Sequence, residues 1–334
     1  MPIDNPMSQE KVTLGCRLFF DTRLSSTRSY SCASCHQSQL AFTDGRPRAI
    51  GATGDTVRRG TMTLTNVAYN PAYTWASTAA VSLETQMQQP LFNEHPLEMG
   101  LRKADTQWLA TLSDAGYVDA FQQAFPGEAR PLSADNVIKA IAAFERTLIS
   151  GRSAFDRYVF DDDRSALSAE AQRGMALFYS QRVGCMNCHF GINFSGPIQQ
   201  DGRAAVKALF ANTGVARFPV QPADSLPDSG LSEFTRKAAD RGKFRVPTLR
   251  NVALTAPYMH DGSIATLQGV IEHYVQGGRD SGNGRRVAIK PMALSASEQQ
   301  DLIAFLNGLT DDAFIARAAQ LATCAEAGSV STAK

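Results

Sequence analysis

The stretch Cys32-Ala33-Ser34-Cys35-His36 decides the fold of this chain, because its pattern recurs as Cys185-Met186-Asn187-Cys188-His189. Two thiols about one helical turn apart can reach the two vinyl groups of a haem, and the histidine that follows then lies under the iron. A pair of redox or zinc C-x-x-C sites would leave the adjacent histidine of both copies unexplained. The sequence therefore predicts two covalent c-type haems, attached at Cys32, Cys35, Cys185 and Cys188, with His36 and His189 as proximal iron ligands.

The haem motifs belong to a longer internal repeat. Three further landmarks recur in the same order, and the matching pairs are residues 15–23 with 174–182, 63–68 with 248–253, and 132–144 with 294–306. Self-similarity in a constant order indicates two copies of one structural unit. The polar run Asp161-Asp162-Asp163 marks the boundary, so we expect an N-terminal domain of residues 1–163 and a C-terminal domain of residues 164–334.

Each unit is predicted to be mainly α-helical and similar to cytochrome c, with long loops wrapped on a haem. The closing helices should begin after Ser133 and Ser295, because apolar residues then follow at helical spacing. In the first unit they are Val137, Ile138, Ile141, Phe144 and Leu148, and in the second Leu302, Phe305, Leu306 and Leu309. Residues 195–245 are rich in Gly, Pro and Asp, which fits an ordered loop on the cofactor or a flexible insert. The tail after Asp312 should be helical through Leu321.

Composition narrows the function. The chain has 334 residues, a formal charge of +1 and 43% hydrophobic residues, without a long basic run or an apolar run that could span a bilayer. We therefore expect no nucleic-acid partner and no membrane span. Covalent haem attachment takes place outside the cytoplasm, which predicts a periplasmic protein whose signal peptide has been removed. Cys16 and Cys324 could pair there or remain separate thiols, and the sequence does not decide between them.

The remaining iron ligands decide what the two haems can do. An electron-transfer cytochrome fills both axial positions of each iron, whereas an enzyme leaves one position open beside an acid or base. Only His95, His260 and His273 remain as histidines outside the motifs. His273 and Tyr274 point about 100° apart on a helix, so only one of them can face an iron. Residue type alone favours His273, and Met259 and Met292 are weaker candidates.

A family resemblance covers nearly the whole chain. It is carried by residues 18–25, both haem motifs, residues 66–71 with Trp75, Gln86 and Pro90 with residues 98–100, and residues 247–252 with 257–262. These stretches resemble the bacterial di-haem cytochrome c peroxidase superfamily. The resemblance implies a peroxide-reactive first haem, a six-coordinate second haem and a tryptophan, Trp75, that passes electrons between them. Trp108 keeps the interpretation of a core residue.

The resemblance also implies a distal pocket over the first haem. Gln86 and Pro90 match pocket residues of the family, and Glu98 is the candidate acid/base that moves the peroxide proton. The interval from Pro90 to Glu98 is longer than in the peroxidases, so Glu94 stays an alternative.

One departure points to a branch of the superfamily. The peroxidases have a methionine ligand fourteen positions after the histidine of the His-Asp-Gly motif, and here that position is Tyr274. This resembles the MauG/MbnH branch, and the forms of residues 94–100 and 273–278 are most similar to MbnH. The branch implies an enzyme that uses hydrogen peroxide to form a high-valent di-haem state and then oxidises a tryptophan on a partner protein. For the MbnH type the implied product is kynurenine, on a partner linked to copper handling.

Two functions compete with this interpretation. An ordinary di-haem peroxidase would take electrons from a small redox protein, and Tyr274 speaks against it. A non-enzymatic electron-transfer cytochrome would have two six-coordinate, low-spin irons.

A calcium ion is the last implied cofactor. Its carbonyl ligands would be those of Thr255 and Pro257, while Gly60 stands where the family has a ligating asparagine. A water could replace that ligand. His260 is expected to be structural, near the domain interface or hydrogen-bonded to a haem propionate.

Overall fold

The computed structural model describes residues 2–200, 205–215, 228–278 and 288–328, and within these ranges the chain is largely helical. The α-helices are α1 Gln9–Phe19, α2 Cys32–Cys35, α3 Leu83–Phe92, α4 Gln107–Asp114, α5 Val118–Ala124, α6 Ala134–Glu145, α7 Ala154–Phe160, α8 Ala169–Phe178, α9 Ser232–Thr235, α10 Leu267–Val275, α11 Ala296–Asn307 and α12 Asp312–Gln320. The one sheet in these ranges pairs β1 Phe210–Ala211 with β2 Phe244–Arg245, antiparallel, with Phe210 opposite Arg245. The prediction of a mainly α-helical protein is confirmed.

Two pairs of helices make unusually close backbone contacts. In α1, a β-carbon placed on Gly15 would lie 1.9 Å from the carbonyl oxygen of Ala140 in α6. In α8, a β-carbon on Gly174 would lie 1.8 Å from the carbonyl oxygen of Asp301 in α11. Only glycine allows the backbones to approach this closely. Both glycines belong to the repeated stretches, so the same contact occurs once in each half of the chain.

The closing helices begin where the sequence predicts. The hydroxyl of Ser133 caps α6 by accepting a hydrogen bond from the amide of Asn136. The hydroxyl of Ser295 does the same for Glu298, whose carboxylate accepts a hydrogen bond from the Ser295 amide and so completes a capping box.

Both closing helices end earlier than the apolar spacing predicts. Leu148 and Leu309 are buried but lie beyond the last residues of α6 and α11. Their carbonyls accept hydrogen bonds from the amides of Asn66 (2.9 Å) and Asn251 (3.0 Å). The chain leaves the helix at these points and gives each carbonyl to the repeated asparagine, which has a left-handed backbone with φ of 55° and 60° respectively.

A buried polar network connects the ends of the two closing segments. The carboxylate of Asp311, 2% exposed, accepts hydrogen bonds from the Ser150 hydroxyl and from the amides of Gly151 and Arg152. The side chain of Asn66 exchanges two hydrogen bonds with the backbone of Ser150. Asn251 accepts a hydrogen bond from the amide of Asp311 and donates one to the Ser150 hydroxyl. The end of the first repeat is thereby bonded to the end of the second.

The apolar side chains form two clusters. The first contains Phe19, Phe144 and Trp108, which agrees with the core interpretation of Trp108. The second contains Phe178 and Phe305.

The tail returns to the first cluster. Phe314 of α12 packs there, and the helix continues as a 3-10 turn over Leu321–Gly328, so the prediction of a helical tail is confirmed. Cys324 forms a disulfide with Cys16 of α1, with their Cα atoms 5.9 Å apart. This settles the pairing that the sequence left open.

Part of the 195–245 loop, residues 201–204 and 216–227, lies outside the described residues.

We predict that Gly174→Ala destabilises the protein by about 3 kcal/mol, because the new methyl group would force α8 away from α11. Urea unfolding of the holoprotein measures the loss. The control is Gly151→Ala, since a β-carbon there meets nothing within 4 Å. Equal stabilities of the two variants would contradict the close contact as a structural requirement.

Candidate haem sites

The first haem motif forms a short helix. Ser31 precedes α2, and the Ser34 hydroxyl accepts a hydrogen bond from the Ser31 amide. His36 follows α2, and its Nδ1 lies 2.9 Å from the carbonyl oxygen of Phe42. A carbonyl can only accept, so Nδ1 carries the proton and the lone pair stays on Nε2, the nitrogen that would bind iron.

The second motif repeats this geometry with a different local structure. Cys185–Asn187 forms a 3-10 turn after Gly184, whose φ is 66°. The Nδ1 of His189 lies 2.7 Å from the carbonyl oxygen of Phe194. Burial lowers the pKa of both His36 and His189, which keeps both rings neutral, as iron ligation requires.

None of the four motif cysteines forms a disulfide. Burial raises the pKa of Cys35 and of Cys185 to about 11 each, and it raises the pKa of Cys32 and Cys188 as well. Redox-active C-x-x-C sites have lowered pKa values instead. The thiols therefore fit thioether attachment to haem vinyl groups better than thiol–disulfide exchange.

Sequence reasoning missed the residues that hold the two histidines. Phe42 and Phe194 are fully buried and have left-handed backbones, with φ of 64° and 49°. The carbonyl before each phenylalanine accepts a hydrogen bond from a repeated threonine, Thr63 (2.5 Å) or Thr248 (2.6 Å). The available signal was a phenylalanine that follows each motif at nearly the same distance.

Arg250 holds the loop that follows the second haem motif. Its guanidinium forms a buried ion pair with Asp156 and donates a hydrogen bond to the carbonyl of Ile192, two residues before Phe194. Burial alone would raise the pKa of Asp156, but the hydrogen bonds and charge of Arg250, with a hydrogen bond from Ser153, lower it. Arg250 lies in the repeated stretch 248–253, but the repeat by itself predicts no role for it.

A cavity of about 660 Å³ lies against the second motif and is called the second cavity for that reason. Cys185, Cys188 and His189 form one wall, and Tyr274 lines the same cavity. Among its described lining residues the cationic side chains are Arg46, Arg182, Arg245 and Lys290, whereas the one carboxylate is Asp44. Neutral histidine, two thiols and an excess of positive charge fit a haem, which carries two carboxylates.

The cavity separates the candidates for the second axial ligand. His273 is 4% exposed, its Nε2 lies 2.7 Å from the carbonyl oxygen of Thr213, and it is not part of the cavity wall. Tyr274, its neighbour on α10, faces the cavity, and burial together with the thiols of Cys185 and Cys188 raises the pKa of its phenol. Met259 and Met292 also line the cavity.

Trp75 lies on the wall of this cavity and is fixed by its neighbours. Its Nε1 donates a hydrogen bond to the carbonyl of Gly60 (2.8 Å), and its own carbonyl accepts one from the amide of Arg245 (2.7 Å). The amide of Gly60 donates to the carbonyl of His260, whose ring stacks on Phe244 at 3.5 Å. His260 thus occupies a packed position where segments from both halves of the chain meet.

The predicted distal residues of the first haem lie together. Gln86 and Pro90 are one turn apart on α3, and the amide of Met99 donates to the carbonyl of Pro90 (2.9 Å), which holds Glu98 beside the helix. Glu98 is half-buried, burial raises its pKa, and its charge acts on Cys35 of the first motif. Glu94 is exposed.

The predicted calcium ligands line the second cavity. Thr255, Pro257 and Gly60 are all part of its wall. Within the described ranges there is no group of three or more His, Cys, Asp or Glu side chains suited to a metal ion. No helix in the described part of the chain is long and apolar enough to cross a membrane.

Two sites for c-type haem, one of them beside the half-buried carboxylic acid Glu98, define a di-haem oxidoreductase of the peroxidase type. Residues 9–164 match the family model described as di-haem cytochrome c peroxidase. The chain is 35% identical to the methylamine utilization protein MauG of Methylorubrum extorquens over 92% of this chain and 80% of that protein. It is 33% identical to the cytochrome c551 peroxidase of Pseudomonas aeruginosa over 91% and 80% of the two chains. The chain belongs to the di-haem cytochrome c peroxidase family, and that family implies two c-type haems.

Solved structures agree with this assignment. A MauG-like protein associated with microbial copper homeostasis superposes with a TM-score of 0.87 and 40% identity, covering 94% of this chain and 93% of the other. The diheme peroxidase BthA of Burkholderia thailandensis superposes with a TM-score of 0.73 and 25% identity, covering 93% and 88%.

Proposed function

We propose that this chain is a periplasmic di-haem enzyme that uses hydrogen peroxide to oxidise a tryptophan on a partner protein. The observation that carries the proposal is the position of Tyr274, which faces the second cavity while His273 is bonded to Thr213. When bound, the two haems would supply the redox chemistry, by giving two electrons to peroxide and recovering two electrons from the partner protein.

Two cytochrome c-like domains would share this work. We assign residues 1–163 to the domain with the peroxide-reactive haem and residues 164–334 to the domain with the six-coordinate haem. The repeated close contacts of Gly15 with Ala140 and of Gly174 with Asp301 support this division.

Tyr274 would complete the second iron. A phenolate is a hard anionic ligand that stabilises the higher oxidation states of iron, as the tyrosinate of catalase does. A thioether instead favours the ferrous state and suits the acceptance of electrons from a carrier. A tyrosine ligand therefore supports an enzyme that holds oxidising equivalents long enough to draw electrons from a distant donor.

Glu98 would move protons at the first haem. An ionised carboxylate at this position could take a proton from peroxide and return it to the leaving oxygen. Gln86 and Pro90 would shape the pocket around it, since both lie on α3, where the Pro90 carbonyl accepts a hydrogen bond from the amide of Met99.

Trp75 would pass electrons between the two sites. It lines the second cavity, and hydrogen bonds to Gly60 and from Arg245 hold both its ring and its backbone. A fixed aromatic ring suits electron hopping because little reorganisation is needed.

The partner would bear the oxidised tryptophan, with kynurenine as the product. The solved MauG-like protein associated with copper homeostasis supports a partner linked to copper handling. Mass spectrometry of candidate partners encoded beside this chain, before and after treatment with peroxide and the holoenzyme, tests that choice.

A second function has its own support. A di-haem cytochrome c peroxidase would reduce peroxide with electrons from a small redox protein, as the name of the P. aeruginosa relative indicates for that protein. Met259 and Met292 line the second cavity, so a thioether ligand is within the same wall.

We also propose a calcium ion held by the carbonyls of Thr255 and Pro257, which line the same cavity as Gly60, the residue whose carbonyl holds the Trp75 indole. Removal with a chelator should shift the absorption spectrum of the second haem, and added calcium should restore it. Metal analysis that finds no calcium in the purified holoenzyme would contradict this site.

The two functions are separated by substitution of Tyr274. With peroxide, the native holoenzyme should form a long-lived two-electron-oxidised state with near-infrared absorption, and Tyr274→Met and Tyr274→His should abolish that absorption. His273→Gln is the matched control and should retain it. If the Tyr274 variants keep both the state and the ferric spectrum, Tyr274 is not the ligand and the peroxidase function gains support.

Glu98→Gln should slow the reaction with peroxide by about 10²–10⁴-fold, because the amide cannot accept the proton. In the native enzyme the rate should fall as the pH decreases through the raised pKa of Glu98, since only the ionised form acts as a base. The variant should lose this pH dependence. Stopped-flow absorption measures both, and Glu94→Gln, an exposed control, should behave as the native enzyme does.

A further inference from the structure

One buried cation in the second cavity has no anionic partner among the described residues. Arg245 is 6% exposed and lines the cavity. Its Nη2 lies 3.5 Å from the sulfur of Met62, and its Nε is buried without a hydrogen-bond partner in the described part of the chain. The salt bridges among described residues do not include Arg245.

Three other arginines whose side chains are 16% exposed or less are paired. Arg146 forms a salt bridge with Glu84, Arg250 with Asp156, and Arg59 with Asp228. An unpaired guanidinium in the interior costs several kcal/mol, so a buried arginine normally has an anion beside it. Burial lowers the pKa of Arg245 to about 10, which still leaves the group charged at neutral pH.

The cavity identifies the anion that fits. It is the space bounded by the second haem motif and Tyr274, and the one carboxylate among its described lining residues is Asp44. A haem in this space brings two carboxylates. We propose that Arg245 forms a charge-assisted pair with one carboxylate of the second haem and so positions that edge of the cofactor. This pair rests on the proposed function only in that it requires the second haem. It does not depend on the peroxide chemistry or on the partner protein.

The pair would also fix the haem edge relative to Trp75. The amide of Arg245 donates to the carbonyl of Trp75 (2.7 Å), so one residue would contact the haem with its side chain and Trp75 with its backbone. Arg245 is therefore a positioning residue. Its charge opposes the ferric state, because two positive centres in a low-dielectric site repel each other.

The test uses the ferric and ferrous holoenzyme without peroxide. Arg245→Met should shift the propionate bending band of the second haem in resonance Raman spectra and lower the midpoint potential of that haem. Arg245→Lys should restore the potential but not the band, because an ammonium keeps the charge and loses the two-pronged geometry. The control is Arg157→Gln, an exposed arginine outside the cavity that is paired with Asp163, and it should leave both readouts near the native values.

Several outcomes would overturn the proposal. An unchanged band and potential in Arg245→Met would show that no haem carboxylate is paired there. A spectral shift of the native holoenzyme on addition of acetate would assign the site to a free anion instead. If Arg245→Met does not accumulate with two haems, Arg245→Lys decides alone, with a shifted band in support and an unchanged band against. Failure of the peroxide chemistry leaves these results untouched, so the two proposals fail separately.

Discussion

The close contact of two helix backbones at a glycine is the constraint on which each half of the structure depends. Gly15 against Ala140 and Gly174 against Asp301 bring the helix before each haem motif directly onto the closing helix. The approach also brings aromatic rings together, since Phe19 lies 5.1 Å from Phe144 in the first half. The haem motif follows this helix in each half, and its histidine lies beside a buried carbonyl that sets the histidine tautomer.

Much of this could be predicted from the sequence because local chemistry determines it. Serine caps, apolar spacing and the C-x-x-C-H motif act within a few residues, so α6, α11 and both attachment sites were predictable. The early ends of those helices were not, because Leu148 and Leu309 leave the helix for hydrogen bonds with asparagines far away in the chain. The disulfide between Cys16 and Cys324, 308 residues apart, likewise depends on where the tail packs.

The candidate site likewise has features that the sequence predicts and features that only the fold shows. The family resemblance pointed to Tyr274, but residue type favoured His273, and only the fold shows that His273 is bonded to Thr213 while Tyr274 faces the cavity. Arg245 had no sequence signal at all. Arg245 is buried without an anionic partner among the described residues, and this property exists only once the chain is folded.

The repeat explains how two similar sites can acquire different roles. Trp75 and His260 hold equivalent positions, each nine residues after a repeated asparagine. In the fold they meet at one residue, because Gly60 accepts from the Trp75 indole and donates to the carbonyl of His260. A substitution at either of these two positions therefore changes the surroundings of the other. Since Gly60, Trp75 and His260 all line the second cavity, divergence at this junction can tune the second haem without disturbing the glycine contacts that maintain the fold.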